Sequence, residues 1–171
     1  KLSKSSSFFD YQKLDFINNF YIQKKDSYRD FEKFIENNDS IKPYLHKNHE
    51  KIKKIYQAYN TKVKVLFEFI EIIKIYFDKR FVTKPDKILD KNFNGLLKKF
   101  LIKLKTVSDW NETNLDTIIK NFINEENIKF ATFGKPLRHI LTNNKDGPSI
   151  SSIIFILGKD ITFLRINNYI K

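Results

Sequence analysis

The chain has 171 residues, with 32 Lys and Arg against 20 Asp and Glu, a formal net charge of +12. Hydrophobic residues make up 41% and aromatics 15%, which excludes a disordered basic tail, while four Gly and four Pro exclude collagen and disfavour a turn-rich β-sandwich. The absence of Cys removes disulfides, thiolate metal sites and cysteine nucleophiles; the absence of Met, with Lys at position 1, leads us to expect an excised portion of a longer protein. Arginine occurs only at 29, 80, 138 and 165. Abundant Lys, Asn, Ile, Phe and Tyr are what AT-rich codons produce, so part of the charge carries no information about a partner, and net charge points only modestly to a polyanion.

In chain order, Lys1–Phe9 lacks the long apolar core and small-residue cleavage site of a signal peptide. A first break is expected over Gln23–Ser27. Ile52, Ile55, Tyr56, Tyr59, Val63, Leu66, Ile70, Ile73 and Phe77 then follow a 3/4 spacing that predicts one long helix of about seven turns. Glu68, Glu71 and Lys74 interrupt its greasiest stretch, so it is not a membrane span. Arg80–Lys87, with Pro85, reads as the main boundary. Leu96, Leu97, Phe100, Leu101 and Leu104 predict another helix. Leu115, Ile118, Ile119, Phe122 and Ile123 predict a further one, opened by an Asp109/Glu112 capping box. Pro148 and Gly158 bracket a last apolar run, Ile150–Leu157. No strand pair or internal repeat is visible, so the expected fold is all-α: two packed helical units after a short N-terminal helical piece.

Catalytic chemistry finds no footing. His46 and His49 have the i, i+3 spacing of a helical metal pair but no third ligand nearby, and read as solvated helix-entry side chains. Glycines at 95, 134, 147 and 158 make no phosphate loop, and no Ser-His-Asp set or carboxylate pair can be assembled. This chain is expected to be non-catalytic and to hold no metal. Trp110 could stack on a base, but packing on Leu115 or Phe122 is the favoured reading.

Five segments carry a resemblance. KLSK (Lys1–Lys4) is similar to the lysine-bearing ATP loop of class I aminoacyl-tRNA synthetases, but it is read as the run-in to the next segment. SKSSSFFDYQKLDFINNFYI (Ser3–Ile22) resembles a pattern that follows the catalytic domain in bacterial-type glutamyl-tRNA synthetases. NTKVKVLFEFIEIIKIYF (Asn60–Phe77), WNETNL (Trp110–Leu115), and GKPLRHILT with GPSI and ILGKD (Gly134–Asp160) resemble later blocks of that family, in the same order and spacing. The resemblance covers almost the whole chain.

The resemblance implies a helical anticodon-binding region: residues 1–23 the end of the stem-contact region, 24–83 a first helical unit and 84–171 a second. It implies glutamate tRNA as partner, a monomer, a cytoplasmic setting and no membrane. ATP with Mg would serve only the absent catalytic domain of a glutamate–tRNA ligase. Arg138 corresponds to the family's anticodon-side arginine; Gly147, Pro148 and Ile150 correspond to the loop and helix start at the first anticodon base. Gly147 replaces the family's frequent Thr. Lys62 stands where glutamate-only members often carry an Arg that reads the third base, and Lys lacks that planar fork, which leaves acceptance of glutamine tRNA open. Lys129, Lys135 and Lys145 flank Arg138 as weaker phosphate contacts. Splayed RNA bases stack on aromatics or guanidinium planes and are read at their edges; the competing reading of Arg138 is an ion pair with Asp146. Two other readings stand beside this one: a basic helical protein- or membrane-surface module, and a synthetase paralogue with altered tRNA choice.

Overall fold

The computed structural model describes residues 10–24, 27–89 and 93–170, so Lys1–Lys4 and the start of the Ser3–Ile22 motif lie outside the described residues. Ten helices and no strand occur among the described residues, in agreement with the all-α expectation. Helix α1 (Tyr11–Ile22) opens on Asp10, whose carboxylate accepts the N–H groups of Gln12 and Lys13 at 3.0 and 3.1 Å. Leu14, Phe16, Ile17, Phe20 and Tyr21 are exposed, and Ile22 is buried. Helix α2 (Ser27–Glu36) turns Phe31 and Ile35 inward at i, i+4, and the short α3 (Lys42–Leu45) starts with Pro43 in its first turn.

The long predicted helix is in fact two. Helix α4 (His49–Tyr59) ends at Asn60, and α5 (Glu68–Phe77) begins after an eight-residue connection. Asn60 and the β-branched Thr61, Val63 and Val65 are poor helix formers, and the Glu68 carboxylate reaches back to accept the N–H groups of Lys64 and Val65 at 2.8 and 3.1 Å. The apolar spacing runs through this break because Val63 is itself buried.

After α5 the described residues 78–89 run without helix; α6 (Phe93–Lys105) is then followed by α7 (Glu112–Glu125) and α8 (Phe130–Thr142). The capping box expected at Asp109 is displaced by two residues. Asn111 has the extended backbone of an N-cap and accepts the Asn114 N–H at 2.9 Å, while Asp109 accepts from the Asn111 amide at 2.6 Å. Helix α9 (Ile150–Leu157) is capped by Ser149 and stopped by Gly158 at φ +81°, the bracketing that Pro148 and Gly158 foretold, and α10 (Lys159–Ile170) follows at once.

Two aromatic clusters anchor the core. Phe31, Tyr56 and Phe69 meet at ring-centroid distances of 4.7–5.4 Å, and Phe100, Phe122 and Phe133 at 5.0–5.2 Å. Each fully buried Phe or Ile contributes about 1.5–3 kcal/mol relative to exposure. Helix α9 packs on α7, α8 and α10 and also on α4, so the two clusters belong to one continuous core. Arg165 of α10, 2% exposed, closes the junction. Its guanidinium donates to the carbonyls of Leu141 and Ile75 at 2.5 Å each and of Asp78 at 3.3 Å, and it lies 4.0 Å from the Phe81 ring centroid. Burial lowers its pKa to about 10.

Candidate nucleic-acid interface

Three pieces of chain converge at the end of α4: the Asn60–Phe67 connection, the exposed face of α5, and the 143–149 segment between α8 and α9. The last is held from both ends. Asn143 leaves α8 in the left-handed conformation (φ +57°), and its side-chain amide donates to the Val82 carbonyl at 3.0 Å. Thr142 donates to the Arg138 carbonyl at 2.9 Å and accepts the Asn144 N–H at 3.3 Å.

Arg138 organises this segment. Its Nε and Nη2 donate to the Pro148 carbonyl at 3.2 and 3.1 Å, and its Nη1 donates to the Lys145 carbonyl at 2.8 Å. The planar fork thus clamps both ends of Lys145–Pro148, which lysine could not do. Backbone carbonyls, not the Asp146 carboxylate of the competing reading, are its partners. Three of its five N–H groups are used, and two remain for a ligand. Arg138 lies within α8: Pro136 sits inside the helix, which continues to Thr142.

The clamp sets Gly147. At φ +150° its backbone is one that residues with a Cβ rarely adopt; a Cβ there would sit 3.6 Å from Arg138 Cδ and 3.7 Å from the Tyr59 ring. A threonine at this position would therefore need a different backbone. Tyr59 meets the Tyr76 hydroxyl at 3.1 Å, and burial raises the pKa of both phenols.

Lys62 and Gly147 open onto one cavity of about 530 Å³, walled by Tyr59, Phe67, Ile72 and Ile75. Its charged lining is Lys62 against Glu68, Glu71 and Asp146, a net of −2. An acidic, aromatic cavity repels phosphate and suits base edges, whose amino groups donate to carboxylates.

The structure thus brings Arg138, Lys62, Gly147 and Pro148 together. Ile150 differs: it begins α9 beside them, but at 1% exposure its side chain belongs to the core, and only its backbone faces the loop. The three flanking lysines divide. Lys145 is held by Asp86 at 3.0 Å, an arrangement that, with the Ile88 N–H, lowers the Asp86 pKa. Lys129, the N-cap of α8, and Lys135 within it are exposed, without a side-chain partner among the described residues. Trp110 is half-buried and donates to the Ile154 carbonyl at 3.4 Å, so it packs toward α9, not only onto its own helix. His46 and His49 are solvated, and no group of three metal-ligating side chains occurs among the described residues. Sequence reasoning missed Tyr59, which was assigned to the core stripe alone, and Glu71 and Asp146.

Comparison with known proteins supplies the family. The model of the anticodon binding domain matches residues 33–170. Glutamate–tRNA ligase 1 of Bartonella henselae is 28% identical over 98% of this chain and 37% of its own length. Glutamate–tRNA ligase 2 of Helicobacter acinonychis is 29% identical over 99% of this chain and likewise 37% of its length. The chain thus spans somewhat over a third of these relatives. A crystal structure of a glutamate tRNA ligase from Elizabethkingia meningosepticum superposes with a TM-score of 0.76 over 99% of this chain and 34% of that one, at 19% identity, a likeness of fold. The all-helical architecture and the match to the domain model over most of its length agree: this chain belongs to the anticodon-binding domain family.

Proposed function

We propose that the chain is the anticodon-binding part of a glutamate–tRNA ligase, and that its cavity between α4, α5 and the Lys145–Pro148 loop receives bases of the glutamate anticodon. The observation that carries this is the Arg138 clamp. It fixes a loop beside an acidic, aromatic cavity and still leaves two guanidinium N–H groups unused. In this reading Arg138 reads one base edge. Gly147 offers backbone to another, Pro148 sets the turn with its carbonyl held by Arg138, the buried Ile150 fixes the helix start beneath them, and Lys62 reaches the third base as a point charge. Lys129 and Lys135 hold phosphates at the rim; Lys145 does so only by giving up Asp86.

Residues 24–83 and 84–171 act as the two units whose junction forms the cavity, and residues 1–23 continue from a stem-contact region. The described residues offer no triphosphate cradle, so ATP and Mg are assigned to the part of the longer protein that attaches glutamate, in the cytoplasm. Among the described residues no helix is long and apolar enough to cross a membrane.

The test is a titration of Arg138→Ala with two RNA stem-loops, one bearing the glutamate anticodon and one an unrelated anticodon. Loss of about 1–3 kcal/mol against the first alone is expected, the range for a base-reading arginine. Equal loss against both would make Arg138 a backbone contact and overturn its assignment as a base reader.

A further inference from the structure

A second cavity, of about 810 Å³, adjoins the first and shares Glu71 and Ile75 with it as a common wall. Its charge is opposite. Lys74, Lys79, Arg80 and Lys84 face Glu71 and Asp78, a net of +2, and Lys74 already pairs with Glu71 at 2.9 Å. The side chains of Lys79, Arg80 and Lys84 have no partner among the described residues, and all three are exposed.

The backbone that carries these cations is pinned along its length. The Arg80 N–H donates to Asp78 at 2.8 Å and the Lys84 N–H to the Asn143 side chain at 2.7 Å. Thr83 donates to the Ile140 carbonyl at 3.1 Å, and the Lys84 carbonyl accepts from His139 at 2.8 Å. A solvated loop of lysines has no need of such fixing. Here three positive charges are presented from a rigid strap into one concavity. The same concavity is lined by Tyr44 and Phe77, stacked at 5.2 Å with a 22° tilt. A basic groove that tracks the backbone is how proteins hold single-stranded nucleic acid without reading its sequence.

We infer that this groove, built on Lys79, Arg80 and Lys84, is a second RNA site that grips the phosphate backbone of the strand whose bases occupy the neighbouring cavity. The inference rests on the anticodon-binding reading for the identity of the RNA, not for the groove's chemistry. Splitting the work makes physical sense: the acidic cavity discriminates but repels phosphate, so the attraction must come from beside it.

The test is fluorescence anisotropy of the 171-residue chain with the same two stem-loops over a salt series. The K79Q/R80Q/K84Q variant should flatten the slope of log affinity against log salt by roughly 2, three charges at about 0.7 each. That amounts to a roughly 40-fold loss at about 150 mM salt, equal for both RNAs. The charge-preserving K79R/R80K/K84R variant should keep the slope. A K33Q/K98Q/K105Q variant, with the same loss of charge outside the groove, should keep it too. An unchanged slope in the first variant, or an equal flattening in the third, overturns the groove. If wild type binds both RNAs equally while K79Q/R80Q/K84Q still flattens the slope, base reading fails and the groove stands. If wild type binds neither RNA, both fail.

Discussion

Two concavities share one wall of α5 and divide a recognition problem between them. The cavity beside Arg138 is acidic and lined by Tyr59, Phe67 and buried aliphatics; the groove along the linker is basic and open. The first can tell one base from another but cannot attract a polyanion. The second can attract but cannot tell. A chain with a net charge of +12 invites the view that its whole surface is sticky toward RNA. Part of that charge is locally neutralised: seven lysines, among them Lys64, Lys99, Lys103 and Lys145, are tied to carboxylates. Such exposed pairs add little to stability; Lys79, Arg80 and Lys84 have no such pair among the described residues and share one concavity.

The largest expected effect breaks the wall itself. Arg165 joins Leu141 of α8 to the end of α5, so Arg165→Ala leaves buried carbonyls unpaired and a hole against Phe81. A loss of about 3 kcal/mol in denaturant unfolding is expected; a loss under about 1 kcal/mol would show that the junction is held elsewhere. Next comes the clamp. Arg138→Lys keeps the charge but cannot span the Lys145 and Pro148 carbonyls, and it should lose about as much anticodon selectivity as Arg138→Ala, within about 1 kcal/mol. If lysine restored selectivity, the clamp would be irrelevant to reading.

Smaller effects sharpen the contrast. Gly147→Ala introduces a Cβ at φ +150° and should cost about 1–2 kcal/mol of stability while weakening binding of the glutamate anticodon more than of an unrelated one. Thermal melts and the paired titrations check both halves. At high pH the cavity wall should soften. Burial holds the Tyr59 and Tyr76 phenols above their ordinary value near 10, so the unfolded chain loses those protons first as pH rises past it. Stability then falls by about 1.4 kcal/mol per pH unit for each such phenol until the folded protein also ionises. Melts from about pH 9 to 11 should show Tyr76→Phe losing less than wild type; identical pH dependence would contradict the burial argument.

Much of this was legible in the sequence. Helices α6, α7 and α9 announced themselves through 3/4 spacing, while α8, with Pro136 inside it, and α10 did not; Pro85, Pro148 and Gly158 punctuate where their backbone chemistry requires. The break between α4 and α5 stayed hidden because Val63 keeps the apolar phase while the backbone turns; the β-branched cluster Thr61, Val63, Val65 was the available signal. Asn111 won the cap from Asp109 because its backbone, not its residue type, meets the helix correctly. Arg165 could not be found at all. One arginine in α10 reads as surface, and only the tertiary approach of α5 and the linker supplies the carbonyls that bury it. The same holds for the groove, whose three cations are ordinary in a lysine-rich chain until the Asn143 and His139 contacts fix the strap beneath them.

The most direct measurement is the ratio of affinities for two stem-loops that differ only in their three anticodon bases, taken at about 150 mM salt where the nonspecific attraction is damped. A cavity that reads bases predicts at least about tenfold preference for the glutamate anticodon, some 1.4 kcal/mol or more. Equal affinities would contradict it, and would leave the molecule with a grip on RNA but nothing with which to read it.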